Sequence, residues 1–176
     1  MPTPTFFGQN QPVLGGPIIG GPGTPFILTV IPSATIRSDF NGCLGFKFNT
    51  PVGVTPTITH LGRWKLSGNS QIHSVKLYNA LGVLRSVNVD LSTGSVGAFV
   101  YEAITQITLA AGTAHWVLSE EVSGGDTWYD GDTTLTVDTS AGTSDGAATQ
   151  PGCSGTINGF FAGAHSYVPT DFKFFI

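Results

Sequence analysis

The feature that most constrains this chain is a period of two. From Pro25 onward, short runs of alternating apolar and polar residues are cut by Gly, Pro, Asn and Asp. Successive side chains of an extended strand point to opposite faces, so such a run separates a buried face from a wet one only as a β-strand. In residues 43–48, Leu44, Phe46 and Phe48 share a face. In 83–91, Val87, Val89 and Leu91 alternate with Asn88 and Asp90. Further strands are expected at 26–31, 97–103, 105–110, 114–121 (Trp116 and Leu118 inward), 133–137, 155–162 and 167–176, the last with Phe172, Phe174 and Ile176 on one face. Segments 55–66 and 71–79 read as a hairpin turned at Ser67-Gly68-Asn69-Ser70.

About ten strands with no amphipathic helix give an all-β domain, expected to be a two-sheet antiparallel β-sandwich of jelly-roll type. Composition agrees. Charged residues make up only 10% of the 176 residues, against ~25% for an average soluble domain. That argues against helices with charged outer faces. The net charge of −4 and the scattered Lys and Arg leave no basic patch for phosphates, so nucleic-acid binding is not expected. No apolar run reaches the ~20 residues of a membrane span. The N-terminus has no basic and apolar leader pattern, which suggests a mature form or release by another route, such as phage lysis.

Residues 1–25 form a segment of their own, ahead of a sandwich domain at 26–176. They hold six of the eleven prolines and six glycines, with no charged residue. Pro-rich sequence forms neither helix nor central strand. Phe6, Phe7, Val13, Leu14, Ile18 and Ile19 punctuate it, so it reads as an extended apolar arm that docks on its own domain or on a neighbouring subunit, with a homo-oligomer as the expected result.

Six of the eleven acidic residues lie between Glu120 and Asp138. Carboxylates in a Gly-rich loop are the ligands Ca²⁺ takes, which makes Asp126, Asp130 and Asp132 the candidate metal set and Ca²⁺ the only cofactor suggested. The alternative is a solvated connection. Trp128 and Tyr129 sit between Asp126 and Asp130, the equipment for stacking on a sugar ring and bonding its hydroxyls. The alternative is a ring folded over the core edge. Trp64 and Trp116 read as core. Cys43 and Cys153 either form a disulfide or are two buried small hydrophobes. His60, His73, His115 and His165 show no metal-ligand spacing, and no nucleophile elbow, phosphate loop or Cys–His signature occurs. Glu120 and Glu121 are adjacent on one strand, so they face opposite ways and cannot form a glycosidase pair. No enzyme is expected.

From Ile58 to about Asp132 the sequence reads ITHLGRW, IHSVKLYNALGVLRSVNV, FVYEAITQITLAAGTAHWVLSEE and SGGDTWYD, and it ends on SYVPTDFKFF. These stretches resemble a β-sandwich domain of unknown function found as an accessory module in secreted bacterial proteins. The resemblance implies a jelly-roll-like fold and a role beside enzymes or on surfaces, with carbohydrate as a ligand, and it transfers no catalytic residues. Two readings follow. One is a structural protein on a virion or extracellular surface, such as a phage decoration, tail or fibre subunit whose arm binds its neighbours. The other is a carbohydrate-binding accessory module that recognises a surface glycan.

Overall fold

A computed structural model describes residues 23–167 and 170–176. Arm residues Phe6, Phe7, Val13, Leu14, Ile18 and Ile19 lie outside the described residues. The strands are β1 (Thr24–Pro25), β2 (Ile27–Ile31), β3 (Ile36–Arg37), β4 (Gly42–Asn49) and β5 (Thr57–Trp64). Next come β6 (Ile72–Asn79), β7 (Gly82–Asp90), β8 (Phe99–Thr108), β9 (Ala114–Glu121) and β10 (Trp128–Tyr129). The last are β11 (Thr133–Val137), β12 (Thr143–Pro151), β13 (Asn158–Phe160), β14 (His165–Ser166) and β15 (Thr170–Phe175). The described residues contain no helix, and so none that could cross a membrane.

The fold is all-β and antiparallel, as the alternation requires. Hydrogen bonding divides the strands among four sheets, ordered β13-β12-β4-β9-β6-β7, β1-β15-β5-β8, β14-β11-β2 and β10-β3. The four- and three-stranded sheets meet at Phe26, between β1 and β2. Its N–H donates to Phe172 O at 2.9 Å, and its carbonyl accepts from Asp138 N at 2.7 Å.

One core gathers the inward residues of these sheets. Phe46, Phe48, Val75, Leu77, Val89 and Val117 come from the six-stranded sheet, with Leu91 just past its edge strand, while Ile58, Leu61, Phe172 and Phe174 come from the four-stranded one. At its centre Phe26 stacks on Phe172 at 4.5 Å, and Phe48 lies 4.8 Å from Phe172. Each such ring contributes roughly 1.5–3 kcal/mol by burial, and each ring pair about 0.5–1.5 kcal/mol more. A second cluster on the other side of the six-stranded sheet holds Cys43, Tyr78, Leu118 and Ala148, with Trp116 packed against it.

Several expectations are corrected. Segments 55–66 and 71–79 are not a hairpin: β5 pairs with β8 and β15, whereas β6 pairs with β7 and β9. The turn at 67–70 therefore carries the chain from one sheet to another, because Ile58 and Val75 enter the core from different sheets. The two strands expected at 97–103 and 105–110 are one strand, β8, with a register shift opposite Ile58/His60. Trp116 and Leu118 face the second cluster, and it is Val117 that enters the main core. Ile176 is 69% exposed. Strand β12 is an addition to the expected set, since its only buried apolar side chains are the small Ala147 and Ala148, flanked by buried Gly146, Thr149 and Gln150.

Cys43 and Cys153 are joined by a disulfide, with sulfurs 2.03 Å apart. The bond closes 110 residues where β12 already pairs with β4, Gln150 opposite Cys43. On the chain-entropy model such a loop is worth about 4–5 kcal/mol.

Candidate functional site

The segment that follows β9 splits into two environments. The first begins in β5 and β9, whose inward faces carry Arg63 and Glu121, both buried. Arg63 Nε and Nη2 donate to Glu121 Oε1 and Oε2 at 2.9 and 3.0 Å, the two-pronged geometry that fixes a guanidinium on a carboxylate. Ser119 Oγ donates to Glu121 Oε1 at 2.6 Å. His73 on β6 completes the set. Its Nδ1 lies 2.9 Å from Glu120 O and 3.3 Å from Glu121 Oε2, and its Nε2 lies 3.1 Å from Asp126 Oδ2.

Asp126 also accepts from Ser70 N at 3.0 Å and Gln71 N at 2.8 Å. Asn69 acts as a side-chain partner for the next residue, accepting from Thr127 N at 3.1 Å and donating to Thr127 O at 2.9 Å. Asp126, read from sequence as a ligand or metal residue, is thus a buried brace that ties 126–127 to 69–71. Burial alone would raise its pKa, but the N–H of Gln71, the ring of His73 and the N–H of Ser70 lower it overall. Burial likewise opposes the charged forms of Glu121 and His73. Arg63 and His73 hold the Glu121 carboxyl below its usual range, and Glu121 together with Glu120 O raises His73. Both nitrogens of His73 face acceptors, so the imidazolium satisfies both.

Two residues on, the surroundings change. Strand β10 pairs with β3, Trp128 opposite Arg37. This short ladder turns the Trp128 ring inward onto Leu44, where Phe40 and Tyr167 also pack. Trp128 is only 1% exposed, so it is not the open stacking platform expected from its polar neighbours, and Tyr129 is half-buried. A cleft of about 170 Å³ opens beside it, lined by Arg37, Phe40, Leu44, Trp128, Thr149, Phe160 and Tyr167. Phe160 stands edge-on to Tyr167 at 6.2 Å. Arg37 Nη1 donates to Asp130 Oδ1 at 3.1 Å, and Nε donates to Asp39 Oδ1 at 2.8 Å. The bonds to Asp39 and Asp130 raise the Arg37 pKa.

Among the described residues, buried Trp128 Nε1 finds no acceptor. Thr149 Oγ1 and Tyr167 Oη also make no hydrogen bond among the described residues. Burial, with Asp130 adding to it, raises the pKa of Tyr167, so its hydroxyl keeps its proton at neutral pH.

The structure does not gather the three aspartates of the candidate calcium set. Asp126 is committed to His73 and the backbone, Asp130 to Arg37 and its neighbour Gly131 N at 2.8 Å, and Asp132 is exposed. Among the described residues, the one group with metal-ligand spacing is Cys43, Glu120 and Cys153. Its sulfurs are joined to each other, so they are not thiolate ligands.

A third polar feature lies in the four-stranded sheet. Fully buried Asp171 accepts from Tyr101 Oη at 2.5 Å and from Ile27 N at 2.9 Å. Burial pushes its carboxyl up to about 7. Gly62 makes room for this pair, since a Cβ there would lie 2.5 Å from the Tyr101 ring.

Sequence reasoning reached Trp128 and Asp130 but missed Arg37, Phe40, Thr149, Phe160 and Tyr167. The available signal was aromatic: Phe40, Phe160 and Tyr167 are large rings in or beside turn-rich segments, Phe160 and Tyr167 within stretches expected as strands. No protein-family model matches the chain, and no curated protein or solved structure matches it significantly.

Proposed function

We propose that this protein is a non-enzymatic assembly subunit that displays a jelly-roll sandwich on a virion or extracellular surface, with an N-terminal arm that docks on a neighbouring copy. The jelly-roll reading rests on nested pairs. Strand β4 pairs with β9, β5 with β8 and β6 with β7, and successive pairs alternate between the six- and four-stranded sheets. A long hairpin ribbon rolled into two layers has this order. Phe26 then joins the remaining ladders into the second layer.

The observation that carries the assembly reading is an apolar groove just after the arm. Residues 1–22 lead into β1, which pairs with the last strand, Thr24 opposite Phe174. After Phe26 the chain continues into β2, where Ile27, Leu28, Thr29 and Val30 line a groove of about 300 Å³ with Trp64 and Phe99. Leu28 is 58% exposed, and the buried Trp64 Nε1 has no acceptor. Aromatic walls are what a Pro-rich extended segment docks on, its apolar rings against them. The uncharged arm of a second copy fits that chemistry. The non-enzymatic part is supported by Arg63, Glu121, His73 and Asp126, which are buried and spend their polar groups on one another.

Light scattering tests the reading. The full chain should form an oligomer, and a chain lacking residues 1–22, which keeps β1, should be monomeric, as should the Trp64→Phe/Phe99→Ala double variant. A full chain that is monomeric, or a truncated chain that still assembles, would overturn it. The second reading, a carbohydrate-binding module like the secreted accessory domain the sequence resembles, draws its support from the Trp128 cleft.

A further inference from the structure

We infer that the cleft walled by Phe40, Trp128, Phe160 and Tyr167 is a binding site for a single neutral sugar ring, the terminal residue of a surface glycan. This inference deepens the carbohydrate reading and does not depend on the assembly role. A display subunit and an accessory module would both use such a site.

Size comes first. At about 170 Å³ the cleft is smaller than the roughly 300–1,000 Å³ of pockets that enclose drug-sized ligands. It is several times the ~30 Å³ share of one water. One ring fits, and a longer chain must continue into solvent past Phe160, which is 47% exposed.

Chemistry comes second. Most of the wall is aromatic, and the C–H face of a sugar ring packs on such rings. Two hydroxyls without partners among the described residues then lie around the rings, Thr149 Oγ1 and Tyr167 Oη, each both donor and acceptor. A sugar hydroxyl gives both of them partners. An aromatic peptide side chain would fill the same volume but leave Thr149 and Tyr167 unused.

Charge comes third. The one cation at the cleft, Arg37, is bound by two carboxylates, Asp39 and Asp130, so the cluster carries a net negative charge. It repels acidic sugars and selects neutral ones.

The experiment follows the three indole N–H signals of the full-length ¹⁵N-labelled protein, with Trp128 assigned by its loss in Trp128→Phe. The probes are glucose, galactose, mannose, fucose, N-acetylglucosamine, N-acetylgalactosamine and sialic acid, with tyrosine amide as the peptide-side-chain probe. The expected result is a saturable change of the Trp128 signal with at least one neutral sugar and none with sialic acid. Thr149→Val and Tyr167→Phe, whose substituted atoms hold no bond among the described residues, should each weaken that binding about tenfold while folding normally. No saturable change with any neutral sugar, unchanged affinity in both variants, or a response to tyrosine amide or sialic acid in place of a neutral sugar would overturn the inference. None of these outcomes bears on the light-scattering result, so the two readings fail separately.

Discussion

Asp126 and Trp128 are two residues apart, and both are buried, yet their surroundings work in opposite ways. The Asp126 carboxylate meets two backbone N–H groups and the His73 ring, and beyond it Glu121 and Arg63 close a network with two cations and two anions. The Trp128 indole N–H meets no acceptor among the described residues, and its ring lines a cleft whose two hydroxyls, on Thr149 and Tyr167, make no bond among them either. Buried polar groups in native proteins are nearly always paired, and the exceptions call for an explanation. The comparison teaches that chemical richness does not mark a site. The region with the most charge is a fastener, and the region with unspent hydrogen bonds is the place for a ligand.

The largest test falls on the fastener. Removing one member of a buried ion pair leaves the other charge stranded, at a cost of about 3–5 kcal/mol. Arg63→Ala should therefore move the urea midpoint far below wild type, and Glu121→Ala should do the same, with strong non-additivity in the double variant. A loss under about 1 kcal/mol would mean that water reaches this network, and the contrast with the cleft would collapse.

The disulfide comes next and bears on both regions unequally. Cys43 pairs with Gln150, the neighbour of the cleft residue Thr149, and Cys153 follows two residues after β12, so both ends of the bond adjoin that strand. The buried network meets the bond only at its Cys43 end, through Glu120 opposite it and Lys76 and Tyr78 of β6. Replacing both cysteines with alanine should cost about 2–5 kcal/mol in denaturant. Hydrogen exchange should rise first around Thr149. Equal loosening at His73 would show that the two regions are one cooperative unit.

The pH profile separates the buried carboxylates from each other. Asp171 has its folded pKa raised from 3.8 to about 7, chiefly by burial. Between those values the folded state holds the proton that the unfolded chain has lost. Its contribution therefore falls as pH rises from about 4 to about 7, at a limiting slope of about 1.4 kcal/mol for each pH step of one. Glu121 and Asp126 have lowered folded values, so their contribution is present above about 4 and is lost as pH falls below it. His73 is raised, and its share is lost as pH rises past its folded value, above 6.5. Stability should therefore peak on the acid side of neutrality. Asp171→Asn, which keeps an acceptor for Ile27 N, should flatten the decline between 4 and 7 in chemical denaturation and leave the acid limb unchanged.

How much of this was legible follows from what alternation encodes. It placed Phe46, Phe48, Val89 and Phe172 in the core, because period and burial coincide there. The same rule puts Arg63 in register with Leu61, and His73 with Val75 and Leu77, yet charge makes these residues read as surface or as isolated. Their partners come from β9 and from the loop after it, which no local pattern links to β5 or β6. Trp128 misleads for the opposite reason. Its neighbours are polar, and only the two-residue ladder of β10 on β3 turns it inward. Strand β12 is invisible to alternation because alanines against the β4 face need little volume.

The smallest expected effect sharpens the comparison most. Asn69→Ala leaves the Thr127 N–H without its acceptor and the Thr127 carbonyl with only the longer bond from Arg63 Nη2 at 3.4 Å, at a cost of about 1–3 kcal/mol. Thr149→Val changes a residue that is just as buried, keeping its shape and losing one hydroxyl that makes no bond among the described residues. If buried hydroxyls were generally structural here, the two variants would fall together. If the cleft keeps its polar groups for a ligand, Thr149→Val should stay within about 0.5 kcal/mol of wild type in the same urea titration. A large loss at Thr149 would show that its hydroxyl serves the fold, and the division between fastener and cleft would then have to be drawn elsewhere.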